Sequence, residues 1–271
     1  MKGGHELAWL SQRLMERVVS FSARNTEPGL VRITHGDRAA FLAEIETALR
    51  ARQGFTVATL NVDHLVKLQQ TPAFLEAYCQ HSHVVADGRP VVWLSRLAGQ
   101  RVDLIPGSEM VAALAARAAR ATAPVALLGS TEEVLQKAAQ ILEARHEGLK
   151  VVCALSPPFG FDPNDAVVPQ IAQQIEESGA ALCFLALGAP KQEILAARLA
   201  TMVPCCGFIS VGAGLDFVAG HQKRAPAWVQ RIAMEWFWRM AGNPRRLLGR
   251  YAACFAIMPH MIAQARRDRR L

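Results

Sequence analysis

With 271 residues, of which 51% are hydrophobic, the chain is long enough to bury the core of a full domain. Its charged residues are well mixed as far as position 220, which excludes a disordered protein, and no apolar run reaches the roughly 18–20 residues that cross a bilayer. The net charge of +7 lies at one end: residues 221–271 contain 11 Lys and Arg but two acids, whereas the rest contains 19 basic and 21 acidic residues. This basic segment predicts an anionic partner, which can be nucleic acid, acidic lipid or a substrate diphosphate.

The cysteines and the amino-terminal residues bear on the cellular compartment. None of the six cysteines forms a C-x-x-C pair, and most lie in apolar, strand-like runs. Free, buried thiols in a reducing cytoplasm are therefore expected, and disulfides or a zinc site are not. The first residues lack the charged start and long apolar core of a secretory signal, so none is expected.

The elements predicted along the chain alternate between strands and helices. Residues 1–29 are assigned to an N-terminal extension. Six short, nearly continuously apolar strands follow at Phe55–Leu60, His83–Ala86, Pro124–Gly129, Lys150–Leu155, Ala180–Gly188 and Gly207–Gly212. The helices between them are predicted to start at Asp37, Thr71, Ser108 and Ser130. This alternation predicts an α/β protein with a Rossmann-like parallel sheet and helices on both faces across residues 30–220, followed by a basic, aromatic, helical appendage at 221–271.

Ligands of such folds bind beyond the carboxyl ends of the strands, so the residues that follow each strand are the candidates. Thr59 and Asn61 close the first core strand, although Asn61 can equally serve as a helix N-cap. The pair Asp87-Gly88 follows the next strand. It is either a tight turn or a carboxylate that accepts a proton from a substrate hydroxyl.

Two glycine-containing loops follow the last two strands. The first supplies polar residues that we expect to be exposed at the sheet edge and to bind a ligand, together with the glycine and proline that shape the loop: Gly188, Pro190, Lys191, Gln192 and Glu193. The second, from Gly212 to Asp216, resembles a dinucleotide loop, but Phe217 stands where G-x-G-x-x-G needs its third glycine. A nicotinamide cofactor is therefore not expected.

A metal site is not predicted either. His81 and His83 alternate at the entry to a strand, but no further ligand lies near them in sequence, so surface histidines are expected. The chain also lacks a P-loop, a nucleophile elbow and the D-x-D pair that holds a metal against a diphosphate.

A series of short motifs occurs in order between residues 30 and 251: Thr59-x-Asn61, Ala86-Asp87-Gly88, Leu128-Gly129, Gly188-Ala-Pro-Lys-Gln-Glu193, Gly212-Ala-Gly-Leu-Asp-Phe217, Arg224-Ala-Pro-x-Trp228, Glu235-Trp236-x-x-Arg239 and Asn243-Pro-Arg-Arg246. In this series the chain resembles the WecG/TagA/CpsF glycosyltransferases, which build cell-surface polysaccharides. The resemblance implies inverting transfer of a sugar from a UDP-sugar to a polyprenyl-diphosphate-linked sugar. It also implies an enzyme that needs no cofactor and is held peripherally on the inner, cytoplasmic face of the cell membrane.

The resemblance implies roles for individual residues. Asp87 corresponds to the family's proposed base, and Thr59, Asn61 and Gln192 correspond to residues of its cleft. Arginines of the family's C-terminal appendage correspond to Arg239, Arg246 and Arg250. Where the family often has D-G-x-G, this chain reads Asp87-Gly88-Arg89-Pro90, which leaves the donor open between N-acetylmannosamine-type sugars and glucose.

Without a D-x-D pair, backbone amides and fixed cations must meet the charge that develops on the leaving diphosphate. Arginine suits this role because its planar guanidinium binds phosphate oxygens in pairs. The candidates are Arg224, Arg231, Arg239, Arg245, Arg246 and Arg250. Residues 221–250 are thus predicted to form an active-site lid, and residues 251–271, with four arginines near their end, to contact acidic lipid.

Two other functions stay open at this point. The basic tail fits a nucleic-acid-binding module, although it lacks a recognisable reading motif, and nucleic acid is not the expected partner. The second glycine loop fits a nucleotide-dependent oxidoreductase. The oligomeric state is open as well, a homo-oligomer included.

Overall fold

The computed structural model describes residues 19–21, 29–222, 238 and 244–270, with the side chains of 244–246 excepted. Within these residues the chain forms a six-stranded sheet flanked by helices on both faces, together with a small two-stranded sheet. The predicted α/β class with a parallel sheet is confirmed. The predicted division at residues 29 and 220 stays a prediction.

The main sheet contains β3 (Phe55–Leu60), β4 (His83–Ala86), β5 (Val125–Gly129), β6 (Val151–Leu155), β7 (Leu182–Ala186) and β8 (Gly207–Ser210). All neighbours pair in parallel, in the order β4-β3-β8-β7-β5-β6. The small sheet pairs β1 (Val19–Ser20) with β2 (Val31–Arg32), also in parallel. All six predicted strands are present, and each begins within two residues of its predicted start. The strands before the two glycine-containing loops, β7 and β8, end two residues earlier than predicted.

The described helices are α1 (Arg38–Arg50), α2 (Val62–Gln70), α3 (Pro72–Gln80), α4 (Arg89–Leu97), α5 (Gly107–Arg120), α6 (Glu132–Arg145), α7 (Val168–Glu177), α8 (Lys191–Met202), α9 (Gly214–Val218) and α10 (Pro244–Asp268). Alternate strand residues face opposite layers, as the period of a strand requires. On β7, Leu182 and Phe184 pack with α1, α5 and α6, whereas Cys183 and Leu185 pack with α7 and α8. Both faces are therefore covered, which is why the strands read as continuous apolar runs.

Two of the four predicted helix starts are correct and two are shifted. Asp37 caps α1 by accepting the Ala40 N–H at 2.7 Å, and α3 begins directly after Thr71. Ser130 does not cap α6, because its φ of 60° lies in the left-handed region. Thr131 caps the helix instead, since its extended backbone brings its own hydroxyl to the helix amides. Ser108 lies inside α5, which Pro106 precedes as the capping residue.

The C-terminal helix α10 belongs to the core of the fold. Its buried residues Ile257, Met261 and Ala265 join an apolar cluster with residues of α2, α3 and α4. Near its end, the Asp268 carboxylate accepts the Phe21 N–H at 2.8 Å and so ties the helix to the β1 segment. Pro259 lies inside the helix without ending it. No helix in the described ranges is both long and apolar enough to cross a membrane.

The cysteines are free, as expected. Their burial is mixed, because Cys183 and Cys206 are buried whereas Cys79 and Cys205 are exposed. Of the two exposed thiols, Cys79 lies in α3 and Cys205 in the turn between α8 and β8, so neither is in an apolar strand, which accounts for the difference from the expectation of buried thiols.

Candidate functional site

The residues predicted from the sequence gather at the carboxyl edge of four neighbouring strands. Along this edge, Asp87 follows β4, Asn61 follows β3, Gly212 lies just beyond β8 and Gly188 just beyond β7. Neighbouring strands are about 4.8 Å apart, so this row of loops extends over roughly 14 Å. The edge is long enough to bind an elongated ligand across several strands.

Asp87 and Gly88 form the sharp turn between β4 and α4. The backbone N–H of Asp87 donates to the Leu60 carbonyl at 2.8 Å, which fixes its position against the end of β3. Gly88 has a φ of 98°, a conformation that favours glycine, and it allows the chain to enter α4 at once. The half-buried Asp87 thus lies at a rigid turn on the sheet edge. The two alternatives predicted for Asp87-Gly88, a tight turn and a carboxylate at the edge, are therefore compatible with each other.

Thr59 and Asn61 hold structural positions at the end of β3. The Asn61 side-chain oxygen accepts the His64 N–H at 3.0 Å and caps α2, which confirms the capping alternative. Thr59 is buried beneath the edge, where it contacts the start of α5 so closely that a Cβ on Gly107 would meet its hydroxyl oxygen at 3.4 Å. Thr59 therefore lies behind the surface that a ligand would contact.

Gln192 joins the two glycine-containing loops. Its side-chain oxygen accepts the N–H of Gly188 at 3.2 Å and the N–H of Gly212 at 3.1 Å. Both glycines have positive φ, 73° and 55°, so the loops depend on glycine for their shape. Gln192 is only 3% exposed, which corrects the expectation of an exposed residue. Its buried side chain holds the two loops at a fixed distance from each other through these two hydrogen bonds.

Glu193 is fully buried beside Gln192, again contrary to the expected exposure. One of its carboxyl oxygens accepts the Gln192 side-chain N–H at 2.7 Å, while the other has no hydrogen-bond partner among the described residues. Burial raises the pKa of Glu193 to about 7, although the Gln192 hydrogen bond opposes this change. At neutral pH this carboxyl group is therefore close to half protonated.

Lys191 and Asp216 each bind another loop. The Lys191 ammonium donates to the Phe161 carbonyl at 2.6 Å, and Pro190 before it follows a cis peptide bond. The Asp216 carboxylate accepts the Ser130 hydroxyl at 3.1 Å, which links α9 to the loop after β5. These contacts extend the row of connected loops beyond β7.

Sequence reasoning missed two residues of α2, Asp63 and Lys67, that connect the site. Lys67 forms an ion pair with Asp63 at 2.8 Å and also donates to the Ala189 carbonyl at 2.9 Å, so it supports the first glycine loop. Asp63 in turn pairs with Arg250 of α10 at 3.0 Å. Their spacing of four residues, directly after an N-cap at the end of a strand, is the signal that could have identified them.

A buried aromatic and imidazole pair lies beneath the same edge. His64 Nδ1 is 2.7 Å from the Tyr78 hydroxyl, and burial lowers the pKa of His64 to about 3. Burial also raises the pKa of Tyr78, and the charges of Glu193 and Asp87 raise it further. His64 and Tyr78 are therefore both neutral at physiological pH, and Tyr78 lies close enough to both carboxyl groups to respond to their charge.

The predicted arginines are only partly placed. Arg224, Arg231 and Arg239 lie outside the described residues, and Arg246 is described in its backbone alone. Arg250 lies at the site through its ion pair with Asp63, with its side chain 40% exposed. A cavity of about 830 Å³ between residues 36–37 and 96–103 contains none of the predicted site residues.

The prediction that His81 and His83 are surface residues is wrong. His81 and His83 are each 7% exposed, because α3 and α1 cover the entry to the edge strand. His81 bonds to the Ala77 carbonyl, whereas His83 approaches Glu44.

The described geometry combines a half-buried carboxyl group, a row of glycine loops at the carboxyl edge of a parallel sheet, and a basic C-terminal helix packed beside them. The sequence model of one family, described as "Glycosyl transferase WecG/TagA/CpsF family", matches residues 29–271. That match covers nearly the whole chain, so the chain belongs to the WecG/TagA/CpsF family of glycosyltransferases, which act in cell-surface polysaccharide synthesis.

Proposed function

We propose that this glycosyltransferase moves a sugar from a UDP-sugar to a polyprenyl-diphosphate-linked sugar, with inversion at the anomeric carbon and without a metal at the diphosphate. The donor sugar is of the N-acetylmannosamine type or glucose. The observation that carries the proposal is the position of Asp87 on a rigid turn, in the same row as the Gly188 and Gly212 loops.

Inverting transfer is one in-line displacement, so a single base takes the proton from the attacking hydroxyl of the acceptor. We assign this role to Asp87, because its backbone is fixed against β3 and its carboxyl group lies at the edge where ligands of parallel sheets bind. The acceptor sugar would then lie over β4 and the donor over the glycine loops of β8 and β7.

We assign the donor diphosphate to the glycine loops and to the amino-terminal end of α8. The positive φ of Gly188 and Gly212 keeps side chains out of the way, and the dipole of the 12-residue helix α8 favours an anion. Gln192 holds the two loops at a fixed spacing. In this proposal Gln192 is a positioning residue, because its oxygen is already occupied by two backbone N–H groups.

The sequence has no D-x-D pair, so we assign the neutralisation of the leaving group to arginines. Arg250 supports this assignment because it reaches Asp63, two residues beyond Asn61 at the sheet edge. Its own guanidinium retains capacity for a phosphate, since the pair with Asp63 uses Nε. Arg224, Arg231, Arg239 and Arg246 complete the proposed lid.

We also propose that α10 rests on the acidic inner surface of the cell membrane, where a polyprenyl acceptor resides. The outer side of this helix exposes apolar residues toward its start, including Leu248 at 62% and Phe255 at 59%. Exposed Arg266, Arg267 and Arg270 follow on the last turns. Apolar and basic residues on one exposed side are typical of helices that lie in a membrane interface.

The test is incubation of the purified chain with a panel of UDP-sugars and synthetic lipid-diphosphate sugars, with product masses measured. We expect product from one donor class, and we expect UDP, but not NAD, to raise the melting temperature. No product from any pair, together with salt-dependent binding to random oligonucleotides, would instead establish a nucleic-acid-binding module.

A further inference from the structure

Two histidines and a glutamate meet at the amino-terminal end of the edge strand, at the opposite end of β4 from Asp87. His83 opens β4, His35 lies between β2 and α1, and Glu44 lies on α1. The Nε2 atom of His35 is 2.8 Å from one Glu44 carboxylate oxygen, and that of His83 is 3.0 Å from the other. The cluster is separated from Asp87 by four residues of strand, about 13 Å, so it is distinct from the proposed transfer site.

The hydrogen bonds around His83 match the tautomer with hydrogen on Nδ1. Its Nδ1 lies 2.8 Å from the Ser82 hydroxyl oxygen. That hydroxyl lies 3.0 Å from the Thr56 carbonyl, to which it can donate, and accepts the Thr56 N–H at 2.9 Å. With its hydrogen directed at Thr56, Ser82 accepts from Nδ1 of His83.

His35 has similar hydroxyl contacts. Its Nδ1 lies 2.9 Å from the Thr34 hydroxyl oxygen. That oxygen accepts the Val84 N–H at 2.8 Å and lies 3.3 Å from the Val84 carbonyl, which also accepts the Thr34 N–H at 2.9 Å. In the tautomer with hydrogen on Nδ1, the His35 ring donates to this hydroxyl.

With hydrogen on Nδ1, each neutral ring directs its Nε2 lone pair at the carboxylate of Glu44. Lone pairs and a carboxylate repel one another unless a cation lies between them. The rings of His35 and His83 stack with centroids 4.8 Å apart, which places the two Nε2 atoms side by side. The rings of Phe41 and Phe55 lie against His83 with centroids 5.9 Å away and hold it in position. A bound metal ion satisfies all three groups.

We propose that His35, Glu44 and His83 bind a divalent transition metal ion such as Zn²⁺ through two Nε2 atoms and one carboxylate. Their ligand atoms all lie within 4.8 Å of one another. A histidine that binds a metal donates its other ring N–H to an acceptor that fixes the ring and its tautomer, and the Ser82 and Thr34 hydroxyl oxygens lie where such acceptors are needed. Such an ion would clamp α1 and the segment before it to the edge strand.

The binding geometry requires one small movement. Bonds of about 2.0–2.2 Å to a tetrahedral ion separate the ligand atoms by roughly 3.3–3.6 Å, slightly more than the present nitrogen to oxygen distances. Glu44 can move outward because its side chain is 55% exposed, whereas that of His83 is 9% exposed and stays in place. The exposed side of Glu44 also leaves room for a water ligand.

The test uses the full chain after treatment with a chelator, with Zn²⁺ titrated by calorimetry at neutral pH. Exposed thiols also bind Zn²⁺, so all variants carry Cys79→Ser and Cys205→Ser. We expect one ion per chain, a higher melting temperature with Zn²⁺, and visible absorption by bound Co²⁺ that is typical of nitrogen and oxygen ligands. Glu44→Gln should weaken binding by about 10-fold or more, by analogy with the effect of lost supporting groups around metal sites.

His146→Gln serves as the matched histidine control, because His146 ends α6 away from the cluster and should bind Zn²⁺ as the parent does. Since His83→Gln removes a buried group and can disturb folding, the exposed Glu44→Gln variant is the decisive one. Absence of saturable binding by the parent, or equal binding by parent and Glu44→Gln, would show that the cluster is only a hydrogen-bonded contact and would overturn the proposal.

Discussion

Asp87 is the proposed base, and its backbone is held by a hydrogen bond that does not involve its side chain. We expect Asp87→Asn to keep the fold, since the Asp87 N–H still donates to Leu60. Turnover should fall by roughly 10²–10⁴-fold, because the amide cannot accept the proton of the acceptor hydroxyl. The measurement is product formation at saturating substrates beside a melting curve. Glu147→Gln, which removes an exposed carboxyl group on the surface, should leave both unchanged. Full activity of Asp87→Asn would end the base assignment.

Glu193 makes the stability of the protein depend on pH. In the unfolded chain its carboxyl group ionises near the ordinary pKa of 4.5, whereas in the fold it holds its proton up to a pKa of about 7. The folded state therefore binds more protons between these values, so the free energy of unfolding falls as pH rises through this window and levels off above it.

We expect Glu193→Gln to remove this dependence. Between about pH 4 and about pH 8, its free energy of unfolding should rise relative to the parent by on the order of 3 kcal/mol. Urea unfolding at both pH values measures the difference. The exposed Glu147→Gln variant keeps Glu193, so its free energy of unfolding should change with pH as that of the parent does. A gap between Glu193→Gln and the parent that stays constant with pH would mean that the buried carboxyl group is already ionised in the fold.

At the scale of secondary-structure elements, α2 connects the site to the C-terminal helix. Asp63 pairs with Arg250 at 3.0 Å, and Lys67 supports the first glycine loop. The Asp63 side chain is 11% exposed and that of Arg250 is 40% exposed, so this ion pair is partly shielded from solvent. The ion pair thus holds α10, at Arg250, near the same sheet edge as Asn61.

A double-mutant cycle with Asp63→Asn and Arg250→Gln tests this connection. We expect a coupling free energy of about 0.5–1 kcal/mol in urea unfolding, typical of a partly exposed ion pair. Arg250→Gln combined with Glu46→Gln, on α1 across the sheet, should be additive. Additive effects of Asp63→Asn and Arg250→Gln would mean that this ion pair does not stabilise the contact between α2 and α10.

At the scale of the whole molecule, exposed arginines lie at the end of α10, whereas its buried side is part of the core. Replacing Arg266, Arg267 and Arg270 with Gln should leave the fold intact, because these side chains are exposed. Each basic residue near an acidic membrane contributes about 1 kcal/mol, so binding to vesicles rich in phosphatidylserine should weaken by roughly 100-fold.

Sedimentation with vesicles at low and at physiological salt measures this change. Gln at Lys137, Arg145 and Lys150, which are exposed on and after α6, removes the same charge from another surface and should change binding far less. Equal losses in both triple variants would reduce the membrane contact to a general effect of net charge.

The alternation of strands and helices, the parallel sheet and the candidates at its carboxyl edge could all be predicted from the amino-acid sequence. It could do so because strands buried on both faces must be apolar and polar residues then stand out at their ends. Asp87 after β4 and the loops at Gly188 and Gly212 are positions that follow from this local pattern alone. The series of short motifs between residues 30 and 251 predicted the family.

The contacts of those side chains could not be predicted from the sequence and are seen in the folded chain alone. Gln192 and Glu193 are polar residues at the start of a helix and look exposed in sequence, yet the two glycine loops close over them. The approach of His83 to Glu44 and of Arg250 to Asp63 joins residues 39 and 187 positions apart. Such contacts depend on strand order and on helix packing, and no pattern within one element contains that information.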